Sequence, residues 1–341
     1  MSDCLNAAHP PWLSGLGWSD FFENQLEPAD SGFAPRRIAA VHRARLTALS
    51  ESGVIPVALP VHTNTGDLCV GDWVLVDPRD GALHRRLERR TVLERQTEGA
   101  RSPQLAAANI DTLFIVTSCN ADFNVARLER YLAFANQAGT TPVILLTKAD
   151  TAADAQAYKR EAEALQRDVP VVIVNPRSGD AAAALAAWCG VGQTVALVGS
   201  SGVGKSTLVN TLAGSAQETG SVRESDAKGR HTTTSRSIHA IAGGGWVIDT
   251  PGIRTLQLSG TGEGIDTLFA EITELAPSCK FRDCTHAHEP GCAVRAAVAA
   301  GTLDPERLSR WRKLTQENRD NTSPPTRPRD GGSPAGRSRK R

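Results

Sequence analysis

The stretch Gly199-Ser200-Ser201-Gly202-Val203-Gly204-Lys205-Ser206-Thr207 decides how the rest of the chain is read. It follows the apolar run 195–198, which predicts a buried strand, and leads into 205–213, which predicts a helix. A glycine-rich turn between strand and helix turns backbone N–H groups toward one point at a helix N-terminus, an arrangement that wraps phosphate oxygens. Lys205 is then placed to reach the β- and γ-oxygens, and the Ser206 hydroxyl to bind magnesium. On this stretch alone, the nucleotide base stays open between adenine and guanine.

Two further segments extend the site. Asp249 ends the apolar strand predicted over 246–249, and Asp249-Thr250-Pro251-Gly252 offers a carboxylate for magnesium, through a water, and the Gly252 N–H for the γ-phosphate. Between the phosphate loop and Asp249, the Gly-, Ser- and Thr-rich stretch 214–237 has the length and polarity of a switch. Within it Thr232, Thr233 and Thr234 offer a hydroxyl for magnesium, with Thr233 as the assigned ligand. On the other side, Thr147-Lys148-Ala149-Asp150 ends the apolar strand 143–146. An aspartate there accepts both the ring N–H and the exocyclic NH₂ of guanine, which adenine cannot match, while the Lys148 stem packs on the base. This tetrad decides for GTP.

The order of these segments is unusual. An ordinary G domain runs phosphate loop, first switch, Asp-x-x-Gly, guanine tetrad, whereas here the tetrad comes first. The cycle has been cut and rejoined, so the chain after Gly252 leads directly into whatever lies C-terminal. Ile253 and Arg254 follow Gly252, where many GTPases hold a water-orienting Gln. His231 is the nearest candidate for that role; an exposed loop histidine is the alternative reading.

Around the motifs, residues 104–258 alternate strand and helix: strands at 113–117, 143–146, 171–174, 195–198 and 246–249, helices at 125–137, 153–166 and 205–213, and an Ala-rich helix within 181–192. That alternation predicts a parallel sheet covered on both faces, with the ligand at the strand C-termini. Upstream, short β-rich runs at 37–41, 45–50, 54–59, 73–77 and 83–87 fit a five-stranded oligonucleotide-binding type of barrel, within a domain at 35–95. Arg36, Arg37, His42, Arg43, Arg45, Arg85, Arg86, Arg89 and Arg90 make it basic, which leaves RNA contact and a solvated barrel both open. Residues 1–34 lack periodicity and read as a flexible leader.

Cys279, Cys284, His286 and Cys292 place three thiolates and an imidazole within 14 residues. Such a set fills a tetrahedral zinc site with no open position, so the expected role is structural, one zinc per chain, with His288 as the competing ligand. Helices are expected at 293–300 and 305–317, inside a zinc-binding domain at 259–320. From 321 the tail carries Arg327, Arg329, Arg337, Arg339, Lys340 and Arg341 against Asp330, about +5 within a total of +1. It reads as disordered, serving solubility or RNA phosphates.

With 341 residues, 40% hydrophobic, the chain is long enough for two or three domains. Met1-Ser2-Asp3-Cys4 does not open a signal sequence, and the seven cysteines do not form a disulfide pattern, so a cytoplasmic protein without a membrane partner is expected. The predicted architecture is multidomain: N-terminal OB-type β-barrel, central α/β circularly permuted P-loop G domain at 104–258, and C-terminal helical zinc domain.

From Arg36 to Leu314 the chain resembles the RsgA (YjeQ) family of circularly permuted GTPases. The likeness rests on the motif order and on Gly229-Arg230-His231-Thr232-Thr233-Thr234, Asp249 to Gly252, Cys279-Lys280-Phe281-Arg282-Asp283-Cys284-Thr285-His286 and Pro290-Gly291-Cys292. Val70-Gly71-Asp72-Trp73-Val74, Ala108-Asn109-Ile110-Asp111 and Asn120-Ala121-Asp122-Phe123-Asn124 add to it. The resemblance implies a monomeric GTPase of late small-ribosomal-subunit maturation that clamps the subunit and its rRNA, releases on hydrolysis to GDP, and is stimulated by the subunit. It also implies His231 as catalytic and Cys279, Cys284, His286 and Cys292 as zinc ligands. Two departures stand out: Thr147 where Asn is commoner, and Asn175-Pro176-Arg177 where a Ser-Ala pair is expected. A GTP-regulated RNA-binding module with vestigial hydrolysis and an ATP-dependent P-loop enzyme are the alternative readings.

Overall fold

The computed structural model describes residues 10–42, 45–61, 63–95, 103–214, 237–249 and 258–322. Its first elements are two short helices, α1 (Pro11–Gly15) and α2 (Asp20–Glu23). Leu13, Leu16, Trp18 and Phe22 are buried, with Trp18 edge-on to Trp73 at 4.8 Å. Residues 10–33 are therefore a packed layer and not the flexible leader expected. Helices of five and four residues are too short to show a 3.6-residue period, and their apolar side chains find partners far along the chain.

Five antiparallel strands follow: β1 (Ala34–Val41), β2 (Leu46–Ser50), β3 (Gly53–Val57), β4 (Trp73–Val76) and β5 (Leu83–Arg86). β1 pairs with β2 and β4, β2 with β3, and β4 with β5. Ala58 closes the ring, donating to the Gly81 carbonyl and accepting from the Leu83 N–H, both at 2.8 Å. Ile38, Leu46, Ala48, Val57, Val74 and Val76 fill the inside. A hairpin of β6 (Val92–Arg95) and β7 (Gln104–Ala108) then bridges to the next unit, across the position where the sequence suggested a boundary.

The central unit comprises β8 (Thr112–Ser118), α3 (Val125–Gln137), β9 (Thr141–Thr147), α4 (Ala155–Glu163), β10 (Val171–Ile173), α5 (Ala181–Ala184), β11 (Thr194–Gly199), α6 (Lys205–Gly214), β12 (Ser237–Ala240) and β13 (Trp246–Asp249). β8 and β11 are buried at every position, as expected where helices cover both faces. Asn124 caps α3 by accepting from the Arg127 N–H at 2.9 Å, and Leu128, Tyr131, Leu132 and Ala135 turn one apolar face to the sheet.

Sheet order is β10-β9-β8-β11-β13-β12. The strand leading into the phosphate loop, β11, is inserted between β8 and β13 although it comes fourth in the unit, which is the permutation written in space. The sheet is not wholly parallel. β12 runs antiparallel to β13, and its Ser237 also pairs with Ala40 of β1, so one sheet continues from the central unit into the ring. The Ala-rich stretch is helical only over Ala181–Ala184, followed by a 3₁₀ turn at Ala186–Trp188, because Gly190 and Gly192 break it before β11.

Four more helices complete the described chain: α7 (Gly262–Leu268), α8 (Ala270–Leu275), α9 (Ala293–Ala299) and α10 (Pro305–Thr322). α10 passes Glu317, and the Thr322 hydroxyl accepts from the Gly260 N–H, so Asn321 and Thr322 belong to the helix and not to a tail. Fully buried Glu129 on α3 joins α10 to the central unit through Arg307 and Arg310, each at 2.9 Å. Among the described residues no helix is long and apolar enough to cross a membrane.

Candidate functional site

At the end of β11, Gly199 turns at φ 141°, and a Cβ there would stand 2.1 Å from the Val116 carbonyl oxygen. Only glycine fits so close to the neighbouring strand. Lys205 opens α6 and lies across the loop, donating to the carbonyls of Gly199 (2.8 Å) and Ser200. Ser201, Gly202 and Ser206 line the accessible side of the turn, with Val203 buried beneath. The loop thus sits at the N-terminus of a ten-residue helix with an ammonium lying across it, an arrangement that can receive a phosphate.

Thr147 ends β9, and its hydroxyl lies 2.7 Å from the Val203 carbonyl and 3.0 Å from the Thr117 carbonyl. The tetrad and the phosphate loop, 52 positions apart counting from Thr147 to Gly199, are in direct contact. Lys148 takes a left-handed φ of 56°, and Ala149–Thr151 forms a 3₁₀ turn that leaves the Asp150 carboxylate exposed. Asp249 stands at the end of β13, next to β11 in the sheet. Partial loss of solvation pushes its carboxyl above the usual range, against the pull of His239 and Lys205. A carboxylate that a lysine charge reaches, together with the Ser206 hydroxyl in the first turn of α6, supplies the kinds of oxygen donor a magnesium–phosphate complex takes. Thr207 continues the first turn of α6. His231, Thr233 and Gly252, with Thr232, Thr234, Thr250, Pro251, Ile253 and Arg254, lie outside the described residues.

The second cluster gathers as the spacing suggested. The ligand atoms of Cys279, Cys284, His286 and Cys292 all lie within 4.8 Å of one another. Cys279 Sγ is 3.6 Å from His286 Nδ1 and 3.9 Å from Cys292 Sγ, and His286 Nδ1 is 3.4 Å from Cys292 Sγ. A tetrahedron with zinc bonds of about 2.0 to 2.3 Å has edges of about 3.5 to 3.8 Å. The separations among Cys279, His286 and Cys292 match those edges, while the widest in the group, up to 4.8 Å, would have to close on the ion. Burial lowers the His286 pKa, which favours the neutral, ligating ring. Burial opposes ionisation of Cys279, yet the N–H groups of Val294 and Ala293 at the start of α9 carry its thiol below the usual range. His288 is exposed and outside the group. Glu289, which the sequence reading passed over, ties the loop by accepting from the N–H groups of Thr285 (2.8 Å), Ala287 (3.0 Å) and His288 (3.1 Å). From α10, Trp311 packs on the His286 ring and Arg312 donates to its carbonyl.

Much of the basic character expected of the barrel surface is used internally. Arg85 binds Asp30, Arg89 binds Asp72, Arg90 binds Asp111, and buried Arg37 donates to the carbonyls of Leu16 and Asn109. Half-buried Arg36 lies over the Trp12 ring, and His42, Arg45 and Arg86 face outward. Arg43 lies outside the described residues. Sequence shows charges but not their partners.

Residues 86–259 match the family described as RsgA GTPase. A small ribosomal subunit biogenesis GTPase RsgA from Mesorhizobium japonicum is 69% identical over 338 residues, covering 98% of this chain and 98% of the relative. RsgA 2 from Vibrio vulnificus is 46% identical over 322 residues, covering 94% and 91%. YloQ, whose crystal structure is described as that of a circularly permuted GTPase, superposes with a TM-score of 0.63 at 25% identity, covering 88% of this chain and 99% of that one. YjeQ from Thermotoga maritima superposes with a TM-score of 0.61 at 23% identity, covering 84% and 98%, a likeness of fold.

Proposed function

The chain belongs to the RsgA GTPase family, and from that premise we propose that it hydrolyses GTP to GDP and phosphate in the late maturation of the small ribosomal subunit. The observation that carries the reading is the Thr147–Val203 contact, which brings the guanine tetrad against the phosphate loop although the chain meets them in reversed order.

Thr147 to Asp150 hold the base, Gly199 to Thr207 and Gly252 hold the phosphates, and Ser206, Thr233 and Asp249 hold magnesium, which neutralises phosphate charge when bound. His231 orients the attacking water. The five-stranded ring, closed in the cyclic order β1-β2-β3-β5-β4, is an oligonucleotide-binding barrel, and with residues 259–320 it grips subunit rRNA. That cyclic pairing supports the barrel reading. One structural zinc sits on Cys279, Cys284, His286 and Cys292. The units are residues 10–95 with their packed N-terminal layer, 104–258, and 259–322, in a cytoplasmic monomer.

Multiple-turnover phosphate release with and without purified small subunits tests the proposal. A rate that rises steeply on adding subunits supports it; an unchanged rate removes the subunit from the mechanism.

A further inference from the structure

The loop after β10 touches both halves of the nucleotide site. Pro176 is buried, and its Cγ lies 3.2 Å from the point where a Cβ on Gly204 would stand; Thr147 Cγ2 lies 3.8 Å from the same point. The Pro176 carbonyl accepts from the Thr211 hydroxyl of α6 at 2.7 Å. Pro176 is thus packed against the glycine that closes the phosphate loop and tied to the helix behind it, on ground that Thr147 also borders.

Guanine presents three groups along its pairing edge: the exocyclic NH₂, the ring N–H and the acceptor O6. One carboxylate, Asp150, serves the two donors. O6 needs a donor, and the backbone N–H groups of the adjoining loop are the natural source. Here three of them are turned into the loop itself and a fourth is missing. Pro176 has no N–H. The Arg177 N–H goes to Asn175 Oδ1 and the Ser178 N–H to the Asn175 carbonyl, both at 3.0 Å, while the Asp180 N–H goes to Ser178 Oγ at 3.2 Å. The loop closes on itself as an Asx turn.

We propose that this loop braces the phosphate loop instead of reading the base, so that guanine O6 receives no backbone donor from it and selectivity rests on the edge facing Asp150. This rests on the guanine reading above. Its consequence is tolerance at position 6 of the purine. 6-Thio-GTP keeps both donors that Asp150 accepts and replaces O6 with sulfur, a weak acceptor.

Competition titrations of the full chain at neutral pH with GTP, 6-thio-GTP and ATP test this. GTP and 6-thio-GTP are expected to bind within about twofold of each other, the difference left when no neutral hydrogen bond is at stake. Pro176→Ala returns an N–H to the loop and is expected to favour GTP over 6-thio-GTP by roughly three- to tenfold; Pro176→Gly should move the ratio the same way. A wild-type preference for GTP of about tenfold or more would overturn the proposal and leave the guanine reading standing, as would a ratio unmoved in both variants. ATP displacing the probe as well as GTP would remove the guanine reading and this proposal together.

Discussion

The hydroxyl of Thr147 lies 2.7 Å from the carbonyl of Val203, one hydrogen bond between the loop proposed to meet the base and the loop proposed to meet the phosphates. Both groups are buried. The two loops are therefore held together by a bond within the protein itself.

Thr147→Val keeps the shape and removes the donor. Leaving the buried carbonyl with one partner fewer is expected to cost about 1–3 kcal/mol of stability and to weaken GTP binding. Denaturant unfolding and nucleotide titration of the variant check both, and an unchanged GTP affinity would mean the loops hold their spacing by other means.

Asp150→Asn replaces a charged acceptor of two donors with an amide that offers only one acceptor oxygen. GTP affinity should fall by about tenfold or more, since hydrogen bonds to a charged group carry about 1.5–3 kcal/mol. ATP affinity should not move. The exposed position of Asp150 argues against collapse of the fold, and a thermal melt checks it.

Zinc removal should act on the C-terminal helices and spare the nucleotide site. Coordination by such a set supplies about 10–16 kcal/mol, and residues 279–292 contain no regular strand or α-helix to replace it. Cys284→Ala is expected to lose the metal by elemental analysis and unfold α9 in hydrogen exchange, with GTP binding largely kept. A full complement of zinc in the variant would exclude Cys284 as a ligand.

His231→Ala should keep GTP affinity and subunit binding while losing most of the subunit-stimulated rate, roughly 10²–10⁴-fold for a positioned acid or base. Stimulation should also fall as salt rises, because rRNA would be held through phosphate contacts. Phosphate release by wild type and variant, at two salt concentrations, separates a catalytic His231 from a bystander.

Acid should weaken the N-terminal layer. Asp30 accepts from Arg85 at both oxygens and from the Glu27 N–H at 2.8 Å, and Arg85 above all holds its carboxyl well below the usual range. A depressed carboxylate contributes stability that is complete above its unfolded value of about 3.9 and is lost as pH falls through the folded one. Asp30→Asn should therefore be less stable than wild type at pH 7, with a gap that narrows below about pH 4. Denaturation midpoints at several pH values measure it.

What could be read in advance followed the chemistry carried by single stretches. Gly199 to Thr207 and the three cysteines with His286 announce themselves because a phosphate cradle and a tetrahedral site need those residue types at those spacings. β8 and α3 were legible because seven buried positions or a capped, one-faced helix leave a continuous pattern. β12 was not: Ser237-Ile238-His239-Ala240 has one buried residue and is a strand only because β13 and β1 flank it. Trp18 and Phe22 lie in a stretch without periodicity, and it is Trp73, some fifty residues on, that covers them. The same holds for Arg89, one of the residues that make the barrel sequence basic, whose charge is met within the fold by Asp72. Non-local pairing, in each case, supplied what local sequence did not.

The indole of Trp246 donates to the carbonyl of Gly15 at 2.8 Å, across 231 positions of chain. During synthesis the N-terminal layer emerges first, yet this partner is among the last parts of the central sheet to be made. This contact of the oldest segment of the nascent protein must therefore wait until β13 has left the ribosome, whereas Trp18 and Phe22 meet Trp73 far sooner. The permuted order thus makes completion of the first domain depend on translation of the second.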